Sequence, residues 1–562
     1  MDFTADIERK FQDIGLTPRE RQVDIINVIL QKFLTEKYKN VALSASTGIG
    51  KSLIAFIVAE LLYELTNQEN KNDIKPSFIV AHTNTLLQQY EDSYSNKFEM
   101  ILVKGAGNYP CSAMSGSYEE ITAEDCIYGN KSNPPDVVQA CGNCEYLRIK
   151  RIMNKIPHLV TNYAYFYTSR LYGSDQLKPR LLTCWDEAHL KCDTFVNFMR
   201  IEIKDSILER DAKECSTEEL INESGRLLEV RDKIIGKKVT DDNYLKEVEI
   251  VFNLYADIEE KFKDMAHKER TDYNIFGYKK YNRKAKKYAN KKQKILDLLE
   301  YEYEHVVDIQ ENEIIISPIF MRDMFQYVSH SEFNLFMSAT IDKDYISTTL
   351  GLNSVAFING GAIFDPDNKK IIDCQMEGFN YKKMQSPVFM NNIGKVLSGI
   401  VNDYSDTKGV ITVTSFPQLT FVKEYLESYL NKNNIDIKIY AQTREDGLAT
   451  LLDDFKKDPN PSVLISPSIF EGVDLPDDEC RYIIFLKAPY FSLGDKRISY
   501  ILTKYPSIYE KMAVYRMIQG IGRAVRNEED YCDSYFLDGN LNRLFSSKHN
   551  LWKSEFKKYI LK

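Results

Sequence analysis

Ala45-Ser46-Thr47-Gly48-Ile49-Gly50-Lys51-Ser52 follows a short apolar run, Val41-Ala42-Leu43, and leads straight into Leu53-Ile54-Ala55-Phe56-Ile57-Val58. A strand, a glycine loop and a helix in that order are the context a phosphate-binding loop requires. Gly48 and Gly50 allow backbone N–H groups to turn inward toward an anion. The helix that begins there points its positive end at the same anion. Lys51 has the reach for β- and γ-phosphates, and the Ser52 hydroxyl suits Mg2+. The pattern G-x-x-x-x-G-K-[ST] begins here with Ala45, which costs little if that position needs no positive φ.

Upstream, Val23, Ile26, Leu30 and Phe33 recur at helical spacing over residues 18 to 36. Arg19 and Gln22 precede the loop at the distance of an adenine-reading segment. The Gln22 amide offers both a donor and an acceptor to an adenine edge; a solvated surface glutamine is the other reading.

Downstream, Leu181-Leu182-Thr183-Cys184-Trp185 reads as a buried strand ending in Asp186-Glu187-Ala188-His189. That is the second half of a phosphate-loop ATPase. Asp186 is expected to hold Mg2+ through water, and Glu187 to orient or deprotonate the attacking water. His189 is placed to link nucleotide and nucleic acid. Thr83-Asn84-Thr85, after the strand Phe78-Ile79-Val80-Ala81, suits contact with a sugar-phosphate backbone or N-capping of the next helix.

The chain has 562 residues, a net charge of -9 and 43% hydrophobic content, which fit a soluble protein of several domains. No apolar run approaches bilayer-spanning length, and the acidic start Met1-Asp2-Phe3 is no secretory signal, so an intracellular protein is expected. The charge argues against a uniformly basic nucleic-acid coat but not against a basic groove. Cys111, Cys126, Cys141 and Cys144 form a C-x14-C-x14-C-x2-C pattern amid loop residues. Four thiolates in an intracellular chain suggest a metal site. The single short Cys-x2-Cys knuckle puts an iron-sulfur cluster slightly ahead of zinc.

Residues 195 to 315 lose the strand-turn alternation and carry long charged helical runs, Glu218 to Lys233 and Leu245 to Phe262. Within them, Tyr278 to Lys294 interleaves basic and aromatic residues, which suits nucleic acid or a solvated face. After Met337-Ser338-Ala339-Thr340 a second alternating set begins. Its expected strands are Ile371 to Cys374, Val410 to Thr414, Ile435 to Tyr440, Val463 to Ser466, Tyr482 to Leu486 and Ser534 to Leu537. This half carries Ile469 to Asp474, and Gln519-Gly520-Ile521-Gly522-Arg523-Ala524-Val525-Arg526. Arg523 and Arg526 stand at i and i+3, hence on one face of a helix, as stabilisers of a γ-phosphate in transit.

Taken in order, A-S-T-G-I-G-K-S, T-N-T, T-N-Y, D-E-A-H, M-S-A-T, E-G-V-D and Q-G-I-G-R-A-V-R resemble superfamily 2 helicases. K-G-A-G-N-Y-P-C before a four-cysteine region, between the phosphate loop and D-E-A-H, is similar to the XPD/DinG-like iron-sulfur DNA helicases. The resemblance implies an α/β fold of two RecA-like parallel-sheet lobes, with an iron-sulfur insertion and a reduced helical arch in lobe one. The expected divisions are lobe one at 1–103, 151–194 and 317–345, the four-cysteine domain at 104–150, the arch at 195–316, and lobe two at 346–562. ATP and Mg2+ would meet Gln22, Thr47, Gly48, Gly50, Lys51 and Ser52 from lobe one, with Gly472, Asp474 and Gln519 from lobe two. Lys51, Asp186, Glu187, Arg523 and Arg526 would be catalytic, Ser52 and Asp186 would bind magnesium, and the four cysteines would hold a [4Fe-4S] cluster. The implied activity is 5′ to 3′ translocation of a monomer on single-stranded DNA, with strand separation at a duplex fork. A cytoplasmic or nucleoid setting and a part in DNA repair go with it. An RNA track, a translocase that does not separate strands, and a zinc-stabilised nucleic-acid-binding protein are the alternatives. Leu537-Asp538-Gly539-Asn540 departs from the family's Asp-x-Arg, so no nucleotide-sensing arginine is expected there.

Overall fold

The computed structural model describes residues 1–46, 48–66, 74–111, 121–126, 144–173, 177–272, 275–301, 303–361, 368, 370–444, 448–468, 475–522, 524–525, 530–545 and 560–561. They form two compact units. The first comprises Met1–Ala42, Ser52–Phe336 and Ile346–Ala356; the second comprises Leu43–Lys51, Met337–Tyr345 and Phe357–Lys562.

Two seven-stranded sheets dominate. The strands of the first are β1 (Asn40–Ala45), β2 (Lys75–Ala81), β3 (Met100–Val103), β4 (His158–Asn162), β5 (Arg180–Trp185), β9 (Ser331–Ser338) and β10 (Ala356–Gly361), in the order β10-β1-β9-β5-β2-β4-β3. The pairings of β2 with β4 and β5, of β3 with β4 and of β5 with β9 are parallel. Parallel strands are covered on both faces, so they read as continuous apolar runs rather than as alternations. Every residue of β5 is buried, and so is all of β1 after Asn40. The helix Lys51–Thr66 is likewise apolar on all sides, with Leu53 to Ala59 buried without a break.

The second sheet has β11 (Ile371–Asp373), β12 (Lys408–Thr412), β13 (Lys438–Ala441), β14 (Ser462–Ser466), β15 (Tyr482–Phe485), β16 (Asp533–Phe536) and β17 (Ile560–Leu561), in the order β13-β14-β12-β15-β16-β11-β17. Its pairings are parallel. Successive side chains go to opposite faces, as the period of two demands. Val410, Leu464, Ile483 and Phe536 join one core, while Ile411, Ile465 and Ile484 join the other. The six strands expected here are all present, with ends displaced by up to three residues; β17 was not foreseen.

The insertion differs from the purely helical expectation. Its long helices are Ile221–Ile235, Tyr244–Thr271 and Ile275–Glu300. They stand on a small antiparallel sheet, β6-β8-β7, built from β6 (Ile201–Lys204), β7 (His305–Ile309) and β8 (Glu313–Pro318). Ile201 and Ile203 are buried and alternate with polar Glu202 and Lys204, the pattern of a half-covered strand too short to register beside the long helices.

The basic helix Ile275–Glu300 spends its charge on its neighbours. Lys287 and Lys291 pair with Asp211, Lys292 with Glu259, and Arg283 with Asp125. Tyr288 is fully buried and stacks on Phe262, with the ring planes 18° apart. Much of the basic-aromatic stretch is therefore helix-packing surface, not a free face for a phosphate backbone. No helix among the described residues is long and apolar enough to cross a membrane.

Candidate nucleotide and nucleic-acid site

The phosphate loop has the backbone its glycines permit. Gly48 has φ +87° and Gly50 φ +81°, both in the left-handed region that an L side chain resists. Ala45 ends β1 and lacks a positive φ, so alanine at the first motif position is unstrained. Lys51 folds back over the loop, its Nζ donating to the carbonyls of Ala45 at 3.1 Å and Ser46 at 3.4 Å. The helix Lys51–Thr66 starts directly at the loop, which presents its positive end there. Thr47 lies outside the described residues.

At the C-terminal end of β5, Asp186 is nearly buried and firmly held. Its Oδ1 accepts from the Glu187 backbone N–H at 3.0 Å, and its Oδ2 accepts from the Tyr90 hydroxyl at 2.9 Å. Its carbonyl accepts from the Tyr163 hydroxyl at 2.8 Å. The Ser52 hydroxyl lies near enough to the Tyr90 phenol to act against Asp186 on its pKa. Burial, reinforced by the negative Asp186, pushes the Tyr90 pKa well above its ordinary value, so the phenol stays protonated as a donor. Asp186 and Tyr90, far apart in sequence, are thus joined, with Ser52 beside the same phenol. Sequence reasoning missed Tyr90, because an aromatic at that helical spacing reads as core.

Glu187 adopts φ +48°, an uncommon conformation for a residue with a β-carbon. Its Oε2 lies 3.3 Å from Nδ1 of the nearly buried His189. The carboxylate is therefore oriented by an imidazole at a bent strand exit, a place where loop geometry sets side-chain direction.

Gln22 is neither solvated nor open. It is 5% exposed, and its Oε1 accepts from the Arg19 backbone N–H at 3.1 Å, capping the helix Glu20–Leu30.

Thr83 N-caps the helix Asn84–Tyr94, its hydroxyl accepting from the Leu86 N–H at 3.2 Å. Asn84, exposed at the start of that helix, donates to Asn108 Oδ1 at 3.4 Å and accepts from Asn162 Nδ2 at 2.7 Å. T-N-T, the K-G-A-G-N segment and T-N-Y therefore meet along one polar edge of the first sheet.

In the second unit, the helix Pro506–Ile521 carries half-buried Gln519. Lys511 and Tyr515 of that helix bond Asp342, at 3.0 and 2.8 Å, just after Ser338-Ala339-Thr340. The helix stops at Ile521, Gly522 caps it, and Ala524 and Val525 are not helical. Arg523 and Arg526 themselves, with Gly472 and Asp474, lie outside the described residues.

In the cysteine-rich segment, the Cys111 N–H donates to the Ile121 carbonyl at 2.9 Å and the Ala123 N–H to the Tyr109 carbonyl at 2.8 Å. Pro110 and Thr122 form an antiparallel bridge, and Cys126 follows the turn Ala123–Asp125. Cys126 is exposed, and Cys111 and Cys144 are half-buried, whereas Cys184, Cys192, Cys215, Cys480 and Cys532 are buried. Cys141 lies outside the described residues, and among those described no three potential ligands gather as a metal site.

Residues 401–556 match the family model for the helicase C-terminal domain, and residues 15–199 match that for the type III restriction enzyme res subunit. The two matches, together with the XPD-like fold, support a superfamily 2 helicase. A solved XPD helicase superposes with a TM-score of 0.63 at 15% identity, covering 95% of this chain and 98% of the other. An apo XPD structure gives 0.59 at 14%, covering 94% and 98%. Xpd4 of S. tokodaii gives 0.58 at 15%, covering 96% and 99%. At such identity these likenesses speak for the fold alone. No curated protein matches the sequence. The helicase domains make this protein an ATP-dependent nucleic-acid helicase, in keeping with its two seven-stranded sheets.

Proposed function

We propose that this helicase moves 5′ to 3′ on single-stranded DNA and separates strands at a duplex fork. The observation that carries the nucleotide chemistry is the left-handed Gly48–Gly50 loop opening directly into the Lys51–Thr66 helix. In this reading Gly48, Gly50 and Lys51, with Thr47, cradle the phosphates, and Ser52 and Asp186 hold Mg2+. Glu187 orients the attacking water, with His189 fixing its carboxylate. Gln22 sits beside the adenine as a helix cap. Gly472, Asp474, Gln519, Arg523 and Arg526 complete the site from lobe two. The polar edge of Thr83, Asn84, Asn108 and Asn162 takes the sugar-phosphate backbone. The domain divisions 1–103, 104–150, 151–194, 195–316, 317–345 and 346–562 go with this reading.

Cys111, Cys126, Cys141 and Cys144 fit a [4Fe-4S] cluster in the chemistry of their donors. They are four thiols in one loop-rich segment, and the described three are the more accessible ones apart from half-buried Cys374. Such a cluster would supply a covalent crosslink for a segment with little core of its own.

The test is ATPase and strand separation on 5′-tailed and 3′-tailed forks, using anaerobically purified protein. Unwinding of the 5′-tailed fork alone is the expected result. Movement without separation on either fork would instead favour a translocase.

A further inference from the structure

We propose that Tyr90 is a positioning residue through which the Asn84–Tyr94 helix couples the nucleic-acid edge to the magnesium-binding side chains. The inference rests on the assignments just made for Ser52, Asp186 and the Thr83–Thr85 end of the helix.

Three observations carry it. First, one phenol meets the metal-binding end of β5, donating to Asp186 Oδ2 at 2.9 Å, with the Ser52 hydroxyl close by. A hydroxyl has a single proton, and this one is committed to Asp186.

Second, the phenol has no freedom to leave without its helix. Tyr90 is 3% exposed, with its ring 6.1 Å from that of Phe56 and 6.0 Å from that of Tyr94. Phe56 belongs to the phosphate-loop helix and stacks on Phe98 at 4.5 Å. Close-packed rings of this kind transmit displacement rather than absorb it.

Third, the same helix begins at the polar edge. Thr83 caps it, and Asn84 is tied to Asn108 and Asn162. Six residues separate Asn84 from Tyr90, about 9 Å along a helix axis. A strand seated on Thr83, Asn84 and Thr85 therefore contacts a rigid rod whose Tyr90 holds Asp186.

Coupling of this type is reciprocal: whatever the strand does to nucleotide affinity, nucleotide does to strand affinity. Tyr90→Phe keeps the ring and its packing and deletes the only atom that reaches the site. The experiment titrates the full-length protein with a fluorescent mant-ADP in Mg2+, with and without a saturating single-stranded oligonucleotide. The wild type is expected to show at least a fivefold difference in nucleotide affinity between the two conditions, as coupled sites do. Tyr90→Phe is expected to reduce that ratio to within about twofold of unity, to require several-fold more Mg2+ for the same mant-ADP affinity, and to keep its oligonucleotide affinity in the absence of nucleotide. A ratio in Tyr90→Phe equal to the wild type's, or a wild-type ratio of one, overturns the proposal. Lys51→Ala separates the two levels. If it binds mant-ADP as the wild type does, the nucleotide-site assignment fails instead.

Discussion

The Lys191 ammonium lies 3.9 Å from the centroid of the Trp185 ring, fully buried two residues after the Asp-Glu-Ala-His turn. Phe325 faces it at 4.2 Å and Met321 Sδ at 3.1 Å, and no carboxylate pairs with it among the described residues. Aromatic faces attract a cation but replace only part of its lost hydration.

Lys191→Met is therefore expected to stabilise the protein by about 1–3 kcal/mol near neutral pH, since the apolar chain keeps the volume and removes the desolvated amine. Burial holds the Lys191 pKa well below its ordinary value of 10.5. Between that lowered pKa and 10.5 the unfolded chain binds the extra proton, so stability falls as pH drops through this window. The advantage of Lys191→Met should vanish above pH 10.5 and grow toward neutrality. Urea denaturation followed by Trp185 fluorescence at several pH values measures it.

Lys51→Ala should abolish ATP turnover while DNA binding stays measurable, because the ammonium is the group that reaches the terminal phosphates. Glu187→Gln should retain nucleotide affinity and lose about 100- to 10,000-fold in kcat, the contribution of a positioned general base. Steady-state ATPase beside mant-nucleotide titration distinguishes the two losses. Retained turnover in Lys51→Ala refutes the assignment of the loop.

Asp125, whose side chain is fully buried, receives two guanidinium bonds from Arg283, at 2.6 and 2.7 Å. Burial pushes the carboxyl pKa up, but Arg283 and Thr122 more than reverse that and hold it below the usual range. Arg283→Met leaves a buried carboxylate without its counter-charge and should destabilise the Thr122–Cys126 turn by about 3 kcal/mol. Faster hydrogen exchange at the Asp125 amide, which donates to the Thr122 carbonyl at 3.0 Å, is the readout. Asp125→Asn combined with Arg283→Met should cost less than the sum of the single changes. Because the pKa is lowered, the turn's stabilisation by Asp125 is present at neutral pH and is lost as pH falls below the ordinary carboxylate range.

Anaerobically purified protein should be brown and contain iron and acid-labile sulfide. Cys111→Ser or Cys144→Ser should lose the colour and both elements. Zinc in place of iron, with no visible absorption, would assign the thiols to a zinc site.

Local order announces itself in local sequence. The phosphate loop, the strand delivering Asp186 and Glu187, and six of the seven strands of the second sheet were legible because each is set by a short run of neighbours. Left-handed glycines, unbroken apolar runs and cap residues act over a few positions, so Gly48, Gly50 and Thr83 reveal their backbone without knowledge of the fold. Contacts across the chain left no such mark. Tyr90 meets Asp186 across 96 positions, and Arg283 meets Asp125 across 158. Nothing near either residue says which partner it will find. The basic stretch read as either a nucleic-acid surface or a solvated face until its lysines were seen paired with Asp211 and Glu259, and Gln22, read as an adenine contact or a solvated side chain, is seen buried as a cap. Composition sets which charges a helix carries, whereas packing alone decides whether they face water, a neighbouring carboxylate or a ligand.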